Sequence, residues 1–289
     1  VTESDMPDDT THADRLYWPD ERVTKGDLAE YGRAVWRWME PHVTDRPLTV
    51  LRCPDGVTGD SFFQRHPWKG MRPHIQSAVD PAGDPGRPLI AISDLDGLVE
   101  LIHSAVLEVH VWNAPLADLE HPDRIVMDLD PGDDVGWSAV CDAAVDVRDR
   151  LDRAGLAAFV KTSGGRGLHV VAPLRPQADW AAVRAFAHAL ADAMAHDDPG
   201  RYVSTISKAR RHGRILIDYL RNQRTATAVA PYSPRARPGA QVSMPLSWSD
   251  LASGAVPGDF TIMNTPAYLA RRASDPWAGF HATSRALPG

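Results

Sequence analysis

The chain has 289 residues, 43% hydrophobic and 24% charged, which is enough to bury a substantial core as one large domain or two fused lobes. Its formal net charge of −7 and pI near 5.9 argue against a chain-wide electrostatic DNA binder, though not against a local basic groove. No apolar run approaches the roughly 20 residues needed to span a bilayer, and no secretory signal is visible, so a membrane partner is not expected.

The first ten residues are acidic and polar and read as a loose tail beginning at Val1, an initiator Met having been removed or omitted. Thr24 then opens a helix, with Asp27 three residues on in a capping-box position and Leu28, Tyr31, Val35 and Trp38 as its apolar stripe. Short strands are predicted at 48–52 and 61–65 around the turn Cys53-Pro-Asp-Gly56, and residues 80–88 form a loop. Ser93 begins a second helix, with Leu98, Ile102 and Ala105 on one side. It leads into the strand Leu107–Trp112, whose period of two puts Glu108, His110 and Trp112 on one face. The two cysteines, Cys53 and Cys141, lie far apart with no CxxC, so neither a disulfide framework nor a zinc knuckle is expected and a reducing cytoplasm is.

The next strand, 125–130, turns Ile125, Met127 and Leu129 one way and Val126, Asp128 and Asp130 the other. A helix follows on Val140, Ala144, Val147, Leu151 and Ala154, with Gly155 at its C-terminal cap. Strands at 157–162 and 167–172 flank a glycine-rich turn, a helix carries Trp180, Val183, Phe186, Leu190 and Met194, and strands are predicted at 214–220 and 226–230. The order β-α-β-β-α-β from 125 to 230 predicts a split βαβ, ferredoxin-like core. From Pro231 the sequence is less regular.

Three features of this core carry chemistry. Asp128 and Asp130 share a strand face and can grip the same or adjacent cations, and Asp218 repeats the pattern of an acid inside an apolar strand, where an unpaired charge is costly. A bare Asp-x-Asp before Pro131 also fits a strand end, but three acids in such settings favour a shared metal site. The turn Thr162-Ser-Gly-Gly-Arg-Gly-Leu-His169 is neither a Walker A motif nor a dinucleotide fingerprint. Its glycines let backbone N–H groups approach an anion, and Ser163, Arg166 and His169 can reach phosphate oxygens. A plain hairpin with a core histidine fits the same residues; nucleophilic catalysis by Ser163 lacks a nucleophile elbow. Basic residues cluster in Lys208-Ala-Arg-Arg-His-Gly-Arg214 and at Arg221, Arg224, Arg235 and Arg237, either as a phosphate-binding groove or as a solvated face.

Six segments in order, Phe62-Phe-Gln-Arg65, Glu108-Val-His-Val-Trp-Asn113, Asp128-Leu-Asp-Pro131, Lys161 to His169, Asp218-Tyr-Leu-Arg-Asn222 and Ala230-Pro-Tyr-Ser-Pro-Arg235, resemble the polymerase domain of bacterial ATP-dependent DNA ligase D, of the archaeo-eukaryotic primase superfamily. The resemblance runs from about Thr24 to Arg237 and more loosely to Trp277. It implies an α+β primase-polymerase fold, with a ferredoxin/RRM-like βαββαβ catalytic core fused to an N-terminal α/β lobe. Residues 1–23 would be a tail and basic segment. Residues 24–289 would be a single domain: N-terminal lobe 24–122, catalytic core 123–237, C-terminal segment 238–289.

The implied activity is template-directed addition of NTPs or dNTPs to primer 3′ ends in non-homologous end joining, with two divalent ions, manganese favoured and magnesium a substitute. The resemblance makes Asp128, Asp130 and Asp218 the catalytic metal ligands. It assigns nucleotide binding to Arg52, Phe62, Phe63, His110, Ser163, Gly164, Arg166, Gly167, His169, Arg221, Thr227 and Arg235, the two Phe residues packing against the template base. One Phe of the pair is expected in the core or on the site, since neighbours on a strand point oppositely. Many relatives have Lys where Arg166 stands, and some have Ser at Thr227. A DNA 5′-phosphate pocket is expected from His12, Arg15 and Lys25, with His12 replacing an Asn of some relatives and Arg15 the usual Lys. Partners implied are gapped or broken DNA, NTP or dNTP, the Ku end-binding protein and an ATP-dependent ligase, in a bacterial cytoplasm at the nucleoid. No ligase Lys-x-Asp-Gly module or nuclease module is evident, so a stand-alone polymerase or an excised domain is expected. A primase, a metal-dependent phosphoesterase and a non-catalytic end-binding module are the alternatives; a primase would be expected to carry a zinc-binding cysteine cluster.

Overall fold

The computed structural model describes residues 12–207 and 211–288; the acidic tail and the Lys208 end of the basic run lie outside the described residues. The chain opens with a ribbon, β1 (Leu16–Trp18) and β2 (Val23–Thr24), leading into α1 (Lys25–Val43). Thr24 caps α1 as its spacing predicts: the Thr24 hydroxyl accepts from Asp27 N at 3.1 Å, and Asp27 accepts from Thr24 N at 2.7 Å. Leu28, Tyr31 and Val35 are buried along one stripe. Then come β3 (Leu48–Arg52), β4 (Phe62–Gln64), β5 (Gln76–Ala78), β6 (Leu89–Ala91), α2 (Leu95–His103) and β7 (Val106–Val111). The N-cap of α2 is Asp94 rather than Ser93, because the Asp94 carboxylate takes the N–H of Gly97 at 2.8 Å.

The second half contains β8 (Arg124–Pro131), α3 (Trp137–Arg153), β9 (Phe159–Thr162), β10 (Leu168–Pro173), α4 (Trp180–Asp197), β11 (Tyr202–Val203), β12 (Ile215–Asp218), β13 (Ala228–Val229), β14 (Pro245–Leu246), α5 (Trp248–Ala252) and α6 (Thr265–Ala270). One sheet has the order β11-β12-β8-β10-β9-β14. Its four central strands, β12-β8-β10-β9, are antiparallel neighbours, as a βαββαβ unit requires. Ile125, Met127 and Leu129 of β8 are buried in the same core as Val140, Val147 and Leu151 of α3 and Val183 and Met194 of α4. That leaves the Asp128 face turned away from the helices.

The predicted strand at 226–230 belongs elsewhere. Its two paired residues, Ala228 and Val229, hydrogen-bond to β7, so β13 edges the second sheet, β13-β7-β3-β6-β5, with β4 also paired to β3. The Pro-rich stretch after 231 is more ordered than expected, since β14 extends the catalytic sheet beside β9. Among the described residues no helix is long and apolar enough to cross a membrane.

Candidate active site

Sheet register assembles the site. Asp128 pairs with Asp218 on one side and with His169 on the other, and His169 pairs in turn with Lys161. Two carboxylates, an imidazole and a lysine amine therefore form one row across β12, β8, β10 and β9, because paired residues of antiparallel strands point to the same face. Asp130, two residues along β8, joins the row's acidic end. One carboxylate oxygen from each of Asp128, Asp130 and Asp218 lies within 4.8 Å of the others. Such a donor set suits divalent cations, which take oxygen ligands.

The electrostatics match a crowded acidic centre. Burial, with the Asp130 and Asp218 charges beside it, pushes the Asp128 carboxyl up to about 7. Arg221 opposes this: its Nε lies 3.1 Å from Asp128 Oδ2 and 3.8 Å from Asp218 Oδ2. Arg221 is held there by its neighbour. The Asn222 side chain donates to Val126 O and accepts from Val126 N, both at 2.7 Å, so the segment after β12 stays clipped to β8. His169 Nε2 lies 3.4 Å from Asp128 Oδ1, and burial holds its imidazole well below the usual range.

The glycine turn faces the acids. Gly164 takes φ +66°, a conformation that favours glycine, and a Cβ on Gly167 would lie 2.3 Å from the Leu129 carbonyl oxygen. The Ser163 hydroxyl accepts from Gly167 N at 3.3 Å, and Arg235 donates to the Ser163 carbonyl. Arg166 is turned onto the neighbouring loop, bonding Asp133 Oδ1 at 2.6 Å and the Asp133 carbonyl at 2.8 Å.

A cavity of about 360 Å³ opens over this arrangement. It gathers ten of the residues expected at the site: Asp128, Asp130, Ser163, Arg166, Gly167 and His169 from the catalytic sheet and its turn, His110 from β7, and Arg221, Thr227 and Arg235 from the segments between. The cavity thus draws walls from both sheets. Asp218 and Gly164 do not line it: Asp218 adjoins it through the acidic cluster, and Gly164 stands behind the turn against Arg235.

The remaining expectations fare differently. Phe62 and Phe63 are both exposed, at 44% and 58%, so neither is core. They lie on β4, which among the described residues pairs only with β3, and each ring has a packing neighbour. Phe63 meets His110 edge-on at a centroid distance of 5.5 Å, while Phe62 lies 5.4 Å from the Arg52 guanidinium. Arg52 does not line the cavity: its Nε donates to Ser104 O at 2.9 Å and its guanidinium also covers Trp68. His12, Arg15 and Lys25 meet at the start of α1, also away from the cavity lining, where Arg15 N donates to His12 O at 3.0 Å and Lys25 N to Arg15 O at 2.8 Å. Arg15 is ion-paired to Asp55. Lys25, expected to face a 5′-phosphate, is buried. It is 5% exposed, its Nζ donates to His103 O at 3.1 Å, and burial together with Arg72 and Arg15 lowers its pKa.

Glu108 and Asp133 have no site role in the sequence reading, and Arg237 enters it only as a member of the basic cluster. Asp133 and Arg237 line the cavity, and Glu108 lies behind His110. The sequence carried a signal for Glu108, an acid two residues before His110 on the same strand face, but none for Asp133.

Comparison with known proteins places this geometry. The sequence model of the LigD primase-polymerase domain matches residues 24–277. The multifunctional non-homologous end joining protein LigD of Pseudomonas aeruginosa is 38% identical over 279 residues, which is 96% of this chain and 33% of that protein. The bifunctional non-homologous end joining protein LigD of Bacillus subtilis is 29% identical over 255 residues, 87% of this chain and 41% of that protein. The chain thus spans about a third of the length of the first of these curated relatives. The polymerase domain from Mycobacterium tuberculosis ligase D, solved in complex with DNA, superposes with a TM-score of 0.86 at 28% identity, covering 95% of this chain and 98% of that one. The expected α+β primase-polymerase architecture is therefore present, and the chain belongs to the LigD primase-polymerase domain family.

Proposed function

We propose that the chain is a template-directed nucleotidyltransferase of non-homologous end joining, extending primer 3′ ends across short gaps at broken DNA, with residues 24–289 acting as one polymerase domain. The observation that carries this is the convergence of Asp128, Asp130 and Asp218 within 4.8 Å beside a cavity whose far wall is the glycine turn. Those three carboxylates would hold two divalent cations, manganese in preference to magnesium, which when bound lower the pKa of the attacking hydroxyl and offset charge on the leaving pyrophosphate.

The chain's own residues supply alignment and charge. Ser163, Gly167, Arg235 and Arg237 line the space a triphosphate would fill, Gly164 shapes the turn behind them, and His169 approaches from β10. Arg166 braces the turn against Asp133 and remains long enough to swing onto a phosphate. Arg221 offsets the acids' mutual repulsion. His110 and Thr227 lie on the wall formed by the second sheet, where the sugar would rest, and Phe63 beside His110 offers a face to a template base of any identity. His12, Arg15 and Lys25 form a separate cationic site for a 5′-phosphate. Gapped DNA, NTP or dNTP, the Ku end-binding protein and a ligase activity are the partners this role requires, in the cytoplasm at the nucleoid.

Primer extension on a gapped duplex tests the reading, with and without 5′-phosphate, with NTP or dNTP, and with manganese or magnesium. Lengthened primer with release of pyrophosphate is the expected result. Release of nucleoside monophosphate without lengthening would instead identify a phosphoesterase.

A further inference from the structure

Glu108 is buried, 3% exposed, on β7, and a carboxylate in that setting is tolerated only when its oxygens are paired. Its partners come from two places. Oε2 accepts from His110 Nε2 at 2.8 Å and lies 3.1 Å from Arg235 Nε. Oε1 accepts from the backbone N–H of Ala236 at 2.8 Å. His110 and Arg235 both line the cavity, from different sheets' surroundings. Arg235 then reaches the turn, donating to the Ser163 carbonyl, with its Cγ 2.4 Å from where a Gly164 Cβ would stand. His110 meets Phe63 at its edge. One carboxylate therefore connects the wall beside Phe63 to the phosphate-facing turn.

We propose that Glu108 is a positioning residue for the nucleotide site: it fixes His110 with its proton on Nε2, holds Arg235 against the glycine turn, and so sets nucleotide affinity without touching nucleotide. This rests on the nucleotidyl-transfer reading above for the identity of the ligand, but not for the geometry. The chemistry of the side chain makes it specific. A carboxylate accepts on both oxygens; Gln presents an N–H₂ on one side, so Glu108→Gln sets a donor against either the His110 N–H and the Arg235 charge or the Ala236 N–H. A positioning role of this kind moves binding more than the chemical step.

Two measurements decide it. First, ¹⁵N NMR of the unmodified protein reads the His110 tautomer directly. Neutral imidazole protonated on Nε2 is expected, and protonation on Nδ1 overturns the proposal without any variant. Second, Glu108→Gln and Glu108→Asp are compared with wild type by melting temperature, by equilibrium binding of a fluorescent ATP analogue with manganese, and by the kcat and KM of extension. Folded variants should lose nucleotide affinity by about tenfold, with KM rising and kcat changing by less than about threefold, and their His110 tautomer should become mixed. Folded variants with unchanged nucleotide affinity overturn the proposal, whatever their tautomer. If wild type binds nucleotide yet fails to extend a primer, the polymerase reading falls while the binding and NMR results still judge Glu108.

Discussion

Asp128 is flanked in sheet register by Asp218 and His169, whereas Arg15 and Lys25 meet where a loop turns into α1. In the first region the backbone ladder fixes every functional side chain, and the acids are left facing one another with their charge only partly offset by Arg221. In the second, charge is already engaged: Arg15 with Asp55, and Lys25 buried against the His103 carbonyl. The difference teaches that a rigid sheet can hold an electrostatically unfavourable cluster poised for a cation, while a loop-built site settles its charges internally and presents less of them to a ligand.

The largest expected effect breaks the sheet-built side. Asp128→Ala should lower primer extension by at least roughly a hundredfold, since it removes a buried carboxylate at the centre of the row. Asp128→Asn should do the same to activity while improving stability at neutral pH without divalent ions. The sign follows from linkage. A folded-state pKa raised to about 7 means that this group contributes stability when protonated and loses it as pH rises from the ordinary carboxylate range through about 7. Melting curves in chelator between pH 5 and 8 should fall with pH more steeply for wild type than for Asp128→Asn. Parallel curves would show that the acids do not repel as their spacing requires.

Next in size is the turn. Gly167→Ala places a methyl 2.3 Å from the Leu129 carbonyl, a backbone atom that cannot yield without moving β8, so a loss on the order of 1–3 kcal/mol of stability and most of the activity is expected. Gly165→Ala crowds the flexible end of Arg237, at 2.7 Å, and otherwise makes ordinary contact with Ser163 Oγ at 3.5 Å, so it should be tolerated. Equal damage from both, by melting temperature and extension rate, would mean that the turn does not depend on β8.

The aromatic pair comes third. Phe63→Ala should weaken template-dependent extension by about 1–3 kcal/mol, roughly 5- to 160-fold, because Phe63 stands beside His110. Phe62→Ala should do less, as its ring is engaged with Arg52. The reverse order, measured as KM for primer-template, would move the template path to the other side of β4.

The smallest effects sharpen the loop-built side. Arg15→Ala should reduce stimulation by a 5′-phosphate only about two- to fivefold, because the guanidinium is partly spent on an exposed ion pair. Asp55→Asn should increase that stimulation by releasing Arg15. If both variants behave as wild type in extension assays with and without 5′-phosphate, this corner does not read the phosphate.

Much of this molecule was legible because its signals are periodic. The Thr24–Asp27 cap, the Leu28-Tyr31-Val35 stripe and the alternation of Ile125, Met127 and Leu129 with Asp128 and Asp130 each follow from one element's own geometry, and each appears in the fold. The strand predicted at 226–230 is present, but two residues of β propensity do not say which sheet they will edge; a hydrogen-bond partner 117 residues earlier, Val111 opposite Ala228, decides it. The burial of Lys25 is likewise not written in its own segment, since it depends on α2 and the loop before β1.

By itself the sequence determined the kinds of element, the shared face of Asp128 and Asp130 and the glycine requirement of the 163–167 turn, because periodicity and φ preference are local properties. Only the tertiary structure decided that Asp218, His169 and Lys161 would share one row with Asp128, that Glu108 would join His110 to Arg235, and that Arg15 would turn to Asp55. Register between strands and pairing between charges are set by packing over long sequence separations, and no local pattern encodes them.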